Sequence, residues 1–246
     1  MHRFFIDKSQ ICQDTIEILG SDVRHIRDVL RLKVGDRIEA VADGYIYICQ
    51  IQAIEKNRLI LKELDGYRGN KESPIHIILY QGLAKGNKMD LIIQKNTELG
   101  IREFYPLATY RSVVKLKDMK REESKVNRWT LLAEEAAKQS KRDIVPKVNS
   151  IISFDEMIKL LDGKKNIVVP YEDEKNQFIS KELDIEGNTL HLIIGPEGGF
   201  EPKEIEELKA IGAKIVTLGP RTMRTETAGI VASAILLYEF GDLGVI

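Results

Sequence analysis

The chain has 246 residues, of which 43% are hydrophobic and 30% are charged, with a formal net charge of −1. This composition is typical of a globular protein with one or two domains, and the longest largely apolar stretch, 230–238, is too short to cross a bilayer. Cys12 and Cys49 fit neither a disulfide framework nor a metal-binding pair, and the first eight residues lack a secretory signal core. We therefore expect a cytoplasmic protein that is held together by its hydrophobic core.

The first 70 residues predict a small all-β barrel. Apolar and polar residues alternate from 37 to 62 around Asp43-Gly44, a strong signal for a two-residue hairpin, with a weaker turn at Asn57-Arg58. Segments 2–5 and 15–19 supply further strands, and the polar stretch 65–74 predicts a linker. A domain boundary is therefore expected there, with a second domain at 74–246.

A short helix is predicted within this first domain, at 22–31. At about 100° per residue, Val23, Ile26, Val29 and Leu30 form one apolar stripe, while three arginines, Arg24, Arg27 and Arg31, share another face. Grouped arginines next to a small barrel are suited to phosphate contacts on folded RNA. A solvated amphipathic helix, with Asp22 and Asp28 as counter-charges, explains the same pattern equally well.

The chain after residue 74 alternates apolar strands with helical patterns, which predicts an α/β domain with a mainly parallel sheet. The predicted strands are 75–81, 104–107, 167–169, 190–194 and 215–218, and the predicted helices are 89–99, 125–142, 202–211 and 227–240. The last helix is apolar nearly all round, so we expect it to be buried on more than one side. Its small residues Gly229, Ala232 and Ser233 would let a second helix approach, which leaves both a core helix and a dimer interface open.

Charge is distributed unevenly along this second domain. Residues 111–142 carry ten Lys and Arg against five Asp and Glu, whereas residues 151–211 carry seven against fourteen. A polyanion would meet favourable charge on only part of such a surface, although solvated helix faces also account for the pattern.

The loop at 81–90 leaves a strand and enters a helix, as a phosphate-binding loop does. Its glycines, Gly82 and Gly86, are only three residues apart, and Lys88 is not followed by Ser or Thr, so the Walker pattern fails. A nucleotide kinase or ATPase is therefore rejected. Lys85 and Lys88 remain as a basic pair near a helix N-terminus, able to meet a phosphate.

Two loops broken by glycine and proline, 194–200 and 218–228, each follow a short apolar strand. Four glycines, Gly195, Gly198, Gly199 and Gly219, permit close approach of a ligand to the backbone, and such strand ends are where open α/β folds bind ligands. The spacing does not match a dinucleotide fingerprint. No metal-ligand motif or Gly-X-Ser-X-Gly elbow occurs, so neither a metal nor an acyl-enzyme is expected.

These loops, IGPEGG at 194–199, LGPR at 218–221 and RTETA at 224–228, together with HRFF at 2–5, HIRDVLR at 25–31 and QKNTELG at 94–100, resemble the RsmE family of ribosomal RNA methyltransferases nearly end to end. The resemblance implies a C-terminal SPOUT-type α/β domain with a deep trefoil knot and an N-terminal PUA-like RNA-binding barrel. It also implies a homodimer that uses S-adenosylmethionine to methylate N3 of one uridine in 16S rRNA of the small ribosomal subunit.

By motif match, the resemblance implies specific site residues. The cofactor would contact Val169, Pro170, Ile194, Gly195, Glu197, Gly198, Gly199, Leu218, Gly219, Arg221, Met223, Arg224 and Thr225. The RNA would contact Arg3, Arg24, Arg27, Arg31, Lys85, Lys88, Arg111 and Arg142. The segment from Lys115 to Arg142 is an alternative RNA surface.

Arg224 and Glu226 are the candidate catalytic residues. Methylation of uridine N3 requires loss of an imide proton, and a nearby cation such as Arg224 favours the anionic base. Glu226 either accepts that proton or anchors Arg224 and the start of the helix. The competing hypotheses are a ribose 2′-O-methyltransferase with the same fold and an RNA-binding assembly factor without catalysis.

Overall fold

The computed structural model describes residues 1–112, 119–179, 183 and 185–244, and these form two compact units. The N-terminal unit comprises Met1–Glu72 and Ala137–Val145, and the C-terminal unit comprises Ser73–Ala136 and Pro146–Ile246. The stretch 137–145, assigned above to the second domain, thus belongs with the first. The RNA-binding and catalytic roles of the two parts stay predictions, and Lys115 in the alternative RNA surface lies outside the described residues.

The N-terminal unit is built on a six-stranded mixed sheet with strand order β1-β4-β5-β6-β3-β2. Its strands are β1 Arg3–Phe5, β2 Ile11–Cys12, β3 Thr15–Leu19, β4 Arg37–Ala42, β5 Tyr45–Ile54 and β6 Arg58–Arg68. The predicted hairpin turn joins β4 to β5, with positive φ at both Asp43 and Gly44. The predicted linker is wrong in its first four residues, because β6 continues pairing with β5 as far as Tyr45 opposite Arg68.

The predicted helix at 22–31 is two short pieces, α1 Ser21–Arg24 and a π-helix His25–Val29. Val23 and Ile26 are fully buried as expected, but Val29 is 67% exposed. A π-helix has more residues per turn than an α-helix, so the 3.6-residue spacing that put Val29 on the apolar stripe does not hold.

Arg3 lies inside the N-terminal unit, where it is 6% exposed. Its guanidinium forms ion pairs with Glu39 at 2.8 Å and Asp143 at 2.9 Å, and it donates hydrogen bonds to the carbonyls of Lys141 and Arg142. Asp143 also accepts the backbone N–H of Lys71 at 2.6 Å. A buried charge is tolerated only with such partners, so this arginine links strand β1 to residues 141–143.

The C-terminal unit has a seven-stranded sheet in which every strand pair is parallel. Its order is β10-β8-β7-β12-β11-β13, with β9 also beside β8. The strands are β7 His76–Gly82, β8 Glu103–Ala108, β9 Lys147–Val148, β10 Ile152–Ser153, β11 Ile167–Pro170, β12 Thr189–Ile194 and β13 Lys214–Val216. The described helices are α2 Lys88–Leu99, α3 Met119–Gln139, α4 Phe154–Leu161, α5 Pro202–Ala210 and α6 Thr225–Phe240.

Helices cover both faces of this sheet. Leu190, Leu192 and Ile194 of β12 point into a core with α2, α3 and α6, whereas the alternate residue Ile193 packs with α4 and α5. The predicted α/β class with a mainly parallel sheet is confirmed, and the knot stays a prediction. Helix α4 and strands β9 and β10 were not expected, and the helix predicted at 125–142 is α3, which ends at Gln139 before Lys141 takes a φ of 62°.

The small residues of α6 serve the interior of the unit. Gly229, Ala232 and Ser233 are all buried, and a Cβ on Gly229 would lie 2.7 Å from the Gln81 side-chain oxygen. This strip therefore packs inside its own unit, the first of the two alternatives that the sequence left open, and a dimer stays a prediction. Within the described residues, no helix is long and apolar enough to span a membrane.

Replacing Arg3 with Met should destabilise the N-terminal unit by about 3 to 5 kcal/mol, because Glu39 and Asp143 lose the cation that compensates their burial. Hydrogen exchange of the β1 and β4 amides in rising urea measures this change. Lys8→Met is the matched control, since the Lys8–Asp43 pair is 72% and 71% exposed and should contribute nothing measurable. Equal protection in the two variants would contradict a structural role for Arg3.

Candidate functional site

Three adjacent strands of the C-terminal sheet end at the same edge. Because β12, β11 and β13 are parallel neighbours, the chain leaves Pro170, Ile194 and Val216 on one side of the sheet. The backbone groups beyond these ends no longer pair within the sheet, which makes such an edge the usual ligand site of an α/β fold.

A cavity of about 460 Å³ lies at this edge. It is lined by Lys88, by Pro170, Tyr171 and Glu172 after β11, by Ile194, Gly195, Pro196, Glu197, Gly199 and Phe200 after β12, and by Thr217, Leu218, Gly219, Pro220, Arg221, Thr222, Met223, Arg224, Thr225 and Ala228 after β13. Eleven of the thirteen residues predicted to hold a cofactor are among them. The volume is in the range of small-molecule sites.

The other two predicted residues, Val169 and Gly198, do not line the cavity. Val169 is fully buried in the sheet. A Cβ on Gly198 would lie 3.1 Å from the Cβ of Arg111 and 3.2 Å from its carbonyl oxygen, so Gly198 accommodates a neighbouring segment of the chain. A side chain at this position would therefore press on Arg111 before it could reach the cavity.

Gly82 sets how closely two strand ends approach. A Cβ at this position would lie 2.4 Å from the backbone nitrogen of Pro196, so only glycine lets the end of β7 meet the loop after β12. Gly219, in the loop after β13, has a φ of 113°, a conformation that residues with a Cβ rarely adopt.

A buried hydrogen-bond chain ties the start of α6 to the loop after β12. The Thr225 hydroxyl donates to the carbonyl of Gly195 at 2.5 Å and accepts the Gln81 side-chain amide at 2.9 Å. Thr225 is 5% and Gln81 is 1% exposed. Hydrogen bonds between buried groups are costly to break, so two walls of the cavity are held together.

The Lys88 ammonium lies between two carboxylates, 3.3 Å from Glu197 and 3.3 Å from Glu226. Glu197 also accepts the backbone N–H of Lys85 at 2.9 Å. Burial raises the pKa of Glu197, but the Lys85 hydrogen bond and the Lys88 charge outweigh it, so the pKa lies below its usual value. Burial lowers the pKa of Lys88, but Glu226 and Glu197 outweigh that effect and raise it. Glu197 and Lys88 are therefore both charged at neutral pH.

Arg221 and Arg224 are exposed side chains on the cavity wall. Neither makes a hydrogen bond or an ion pair with any residue that the structure describes. One of the two roles considered for Glu226 was to anchor Arg224. In the structure Glu226 pairs with Lys88 instead. Arg224 is the N-cap residue of α6 but makes no side-chain cap, so its guanidinium can turn to a ligand.

The residues predicted to bind RNA lie in different settings. Arg24 and Arg31 are exposed, while Arg27 pairs with the neighbouring Asp28. Arg3 is buried as described, and Arg142 is 3% exposed and pairs with Glu72. The structure thus gives Arg3 and Arg142 a structural role and does not support them as RNA contacts.

In the C-terminal unit, Lys85 is exposed, Lys88 lines the cavity, and Arg111 lies 45% exposed next to Gly198. Tyr171, Glu172 and Phe200 line the cavity but were not predicted individually. Their signal in the sequence is their position directly beyond a strand or inside a glycine loop. Among the described residues, no group of three or more His, Cys, Asp or Glu side chains could hold a metal ion.

Comparison with known proteins defines the class to which this fold and cavity belong. A family model described as an RNA methyltransferase domain matches residues 71–237, and one described as an RNA methyltransferase PUA domain matches residues 18–64. The ribosomal RNA small subunit methyltransferase E of Bacillus subtilis is 38% identical over 250 residues that cover 97% of each chain. That of Aquifex aeolicus is 30% identical and covers 96% of this chain and 99% of its own.

A solved structure extends the likeness to the three-dimensional fold. The Neisseria gonorrhoeae ribosomal RNA small subunit methyltransferase E, bound to S-adenosyl methionine, has a TM-score of 0.89 and 28% identity, covering 98% of this chain and 99% of that one. The chain therefore belongs to the ribosomal RNA small subunit methyltransferase E family, and the resemblance found in its loops is confirmed.

Replacing Lys88 with Met should lower the melting temperature at pH 7, because Glu197 and Glu226 then repel each other without the ammonium between them. A carboxyl group whose folded-state pKa is lowered stabilises the protein above the unfolded-state pKa, and this contribution disappears as pH falls through the lowered value. The deficit of the variant should therefore be full at neutral pH and shrink only as pH falls below about 4.3, the unfolded-state pKa of a glutamate. Calorimetry measures both effects.

Lys85→Met is the control for this change, since the exposed Lys85 side chain makes no ion pair with the described residues. A deficit that is independent of pH would mean that lost packing, and not charge, explains the role of Lys88.

Proposed function

We propose that this chain transfers a methyl group from S-adenosylmethionine to N3 of a uridine in 16S rRNA of the small ribosomal subunit. The observation that carries the proposal is the exposed guanidinium of Arg224 on the wall of the strand-end cavity, in a chain of this family. The cavity can bind a methyl donor, and the guanidinium can stabilise a uracil base that becomes an anion.

The residues present fit the donor. The apolar side chains of Ile194, Leu218, Met223 and Ala228 can pack against the flat and aliphatic surfaces of the donor. Backbone groups of the loops after β12 and β13 can form hydrogen bonds with the edge of its heterocycle. Gly219 keeps one of these loops without a side chain, and a Cβ there would meet no protein atom within 4 Å. When bound, S-adenosylmethionine supplies an electrophilic methyl on a sulfonium.

Arg224 stabilises the reacting base. The N3 proton of uridine is only weakly acidic and passes to solvent water, and a nearby cation lowers the cost of losing it by favouring the anion. The Arg224 side chain has no partner among the described residues that would compete for this role. Alignment of the base with the donor methyl contributes further to the rate enhancement.

Glu226 has a structural role in this proposal. It lies in the first turn of α6, where a carboxylate is stabilising, and its other interaction is the ion pair with Lys88. Lys88 is accordingly assigned to this pair and to holding Glu197, and it is not proposed as an RNA contact.

Carbon methylation of uridine usually requires a thiol nucleophile. No cysteine lines the cavity formed by the described residues, and both cysteines of the chain lie in the N-terminal unit. This supports methylation at nitrogen.

The N-terminal unit is proposed to bind the rRNA backbone through Arg24 and Arg31. Both are exposed on or directly after the short helix, and neither pairs with an acid among the described residues. A second copy of the chain is proposed to pack on the half-exposed apolar side of α6, where Ile235 and Tyr238 line an apolar depression together with Phe178. A cytoplasmic location remains part of the proposal.

Replacing Arg224 with Ala should lower kcat by about 10² to 10³, the usual cost of removing one charge-stabilising donor, and leave S-adenosylmethionine affinity nearly unchanged. Transfer of labelled methyl to purified small subunits that lack the modification measures turnover, and nucleoside chromatography identifies the product. Arg224→Lys should recover part of the rate, and Arg221→Ala, on the same loop, should cost less. Label in N3-methyluridine is the expected product.

Label in a 2′-O-methyl nucleoside would show that N3 is not the methylated atom, while S-adenosylmethionine would still be the methyl donor. Cofactor binding without methyl transfer to any subunit would point to a non-catalytic assembly factor. Full activity of Arg224→Ala would remove this residue from the mechanism.

Replacing Arg24 and Arg31 together with Ala should weaken binding to small subunits and flatten its salt dependence by up to about two units of log–log slope, one for each lost phosphate contact. Fluorescence anisotropy of labelled protein at several KCl concentrations gives this slope. Arg27→Ala is the control because Arg27 is already paired with Asp28. An unchanged slope in the double variant would place the RNA surface elsewhere.

A further inference from the structure

Glu204 is a completely buried carboxylate in the first turn of α5. One of its oxygens accepts the backbone N–H of Glu201 at 2.7 Å, and the other accepts the backbone N–H of Tyr110 at 3.1 Å. Burial raises the pKa of Glu204, while these two hydrogen bonds act in the opposite direction. The contact with Glu201 is ordinary helix capping, but the contact with Tyr110 joins segments 94 residues apart in the sequence.

The segment held by Glu204 lies directly against the cavity loop. A Cβ on Gly198 would be 3.1 Å from the Cβ of Arg111, and the Arg111 guanidinium donates to the Gly198 carbonyl at 3.4 Å. The turn that contains Arg111 is closed by two hydrogen bonds, because the Ser112 hydroxyl accepts the Thr109 backbone N–H at 2.9 Å and the Ser112 backbone N–H donates to the Thr109 carbonyl at 3.1 Å. Fixing the backbone at Tyr110 therefore fixes the starting point of the Arg111 side chain.

Arg111 is a loosely held cation next to acidic side chains. Its side chain is 45% exposed, and its distance to Glu201 is 3.8 Å, too long for a good hydrogen bond. Glu172 and Glu197 line the neighbouring cavity. An RNA strand that brings its base to this cavity meets repulsion from these acids, and a guanidinium that can leave Glu201 for a phosphate would offset it.

We propose that Glu204 is a positioning residue that holds Arg111 beside the cavity, where Arg111 binds a backbone phosphate of the RNA next to the target nucleotide. The inference rests on the proposed function, because it takes RNA as the substrate. It gives Glu204, a buried acid of α5, a role in substrate binding.

The chemistry of Glu204 explains why a carboxylate is needed. Both of its oxygens accept an N–H group, and a glutamine can supply only one acceptor while its amide group opposes the other N–H. Glu204→Gln is therefore a nearly isosteric change that breaks one of the two contacts. If the Tyr110 contact is lost, Arg111 becomes mobile while the charge of Arg111 itself is unchanged.

A double-mutant cycle tests this role. Arg111→Ala should weaken binding of unmethylated small subunits about tenfold and reduce the salt slope by about one, with the dissociation constant of S-adenosylmethionine within about twofold of the wild type. Glu204→Gln should also weaken subunit binding and should therefore raise KM for subunits. In the Arg111→Ala background, Glu204→Gln should have no further effect. Glu206→Gln is the matched control, because its side chain lies on the same helix and is 71% exposed.

Additive effects of the two substitutions, or loss of cofactor affinity in Glu204→Gln, would overturn the positioning role. Gly198→Ala provides a second route if Glu204→Gln does not fold. Its Cβ would lie 3.1 Å from that of Arg111 and would shift Arg111 slightly without touching Glu204, so it should weaken subunit binding in the same direction as Arg111→Ala but by less. Wild-type protein that neither binds nor methylates subunits would refute the proposed function itself. Wild-type activity with normal subunit binding by Arg111→Ala would refute only this inference.

Discussion

The parallel alignment of β12, β11 and β13 is the constraint on which the site depends. Val168 pairs with Leu192 on one side and Lys214 on the other, so the three strands end together and their loops face one another. A parallel sheet needs both faces covered, and each parallel pair needs a connection that returns the chain to the opposite edge before the next strand begins. The cavity is thus a consequence of strand direction before any side chain is considered.

Polar contacts between distant segments then give the cavity its shape. Thr225 joins the start of α6 to the loop after β12, Lys88 joins the start of α2 to Glu197 and Glu226, and Glu204 joins α5 to Tyr110. Each contact involves a group that is buried or partly buried, where a missing partner is expensive. Loops without regular structure are thereby held in one arrangement.

The same principle separates the arginines of this protein. Arg3 and Arg142 are compensated by buried or partly buried acids and are part of the framework, whereas Arg24, Arg31 and Arg224 are exposed. Their local sequences do not distinguish these two groups, since all five lie among ordinary polar and apolar neighbours. Only the exposed group keeps a guanidinium available for an anionic ligand or a charged intermediate.

Local patterns predicted most elements correctly and failed where local geometry was unusual. The Asp43-Gly44 hairpin and the strands that precede the cavity were identified because alternation and turn chemistry act over a few residues. Val29 was misplaced because the π-helix departs from the 3.6-residue repeat. The sequence left the role of the small residues of α6 open, because a strip of this kind fits an internal neighbour as well as a second chain.

By itself, the sequence determined the family, the α/β class, the strand-end loops and eleven of the residues that line the cavity, because these depend on contiguous motifs. The tertiary structure alone decided which charges are paired. Glu204 meets Tyr110 across 94 residues and Arg3 meets Asp143 across 140, and no periodicity in the chain records such distances. The tertiary structure also decided which neighbour requires a glycine at position 198, because Gly198 meets Arg111 only after two distant segments pack together.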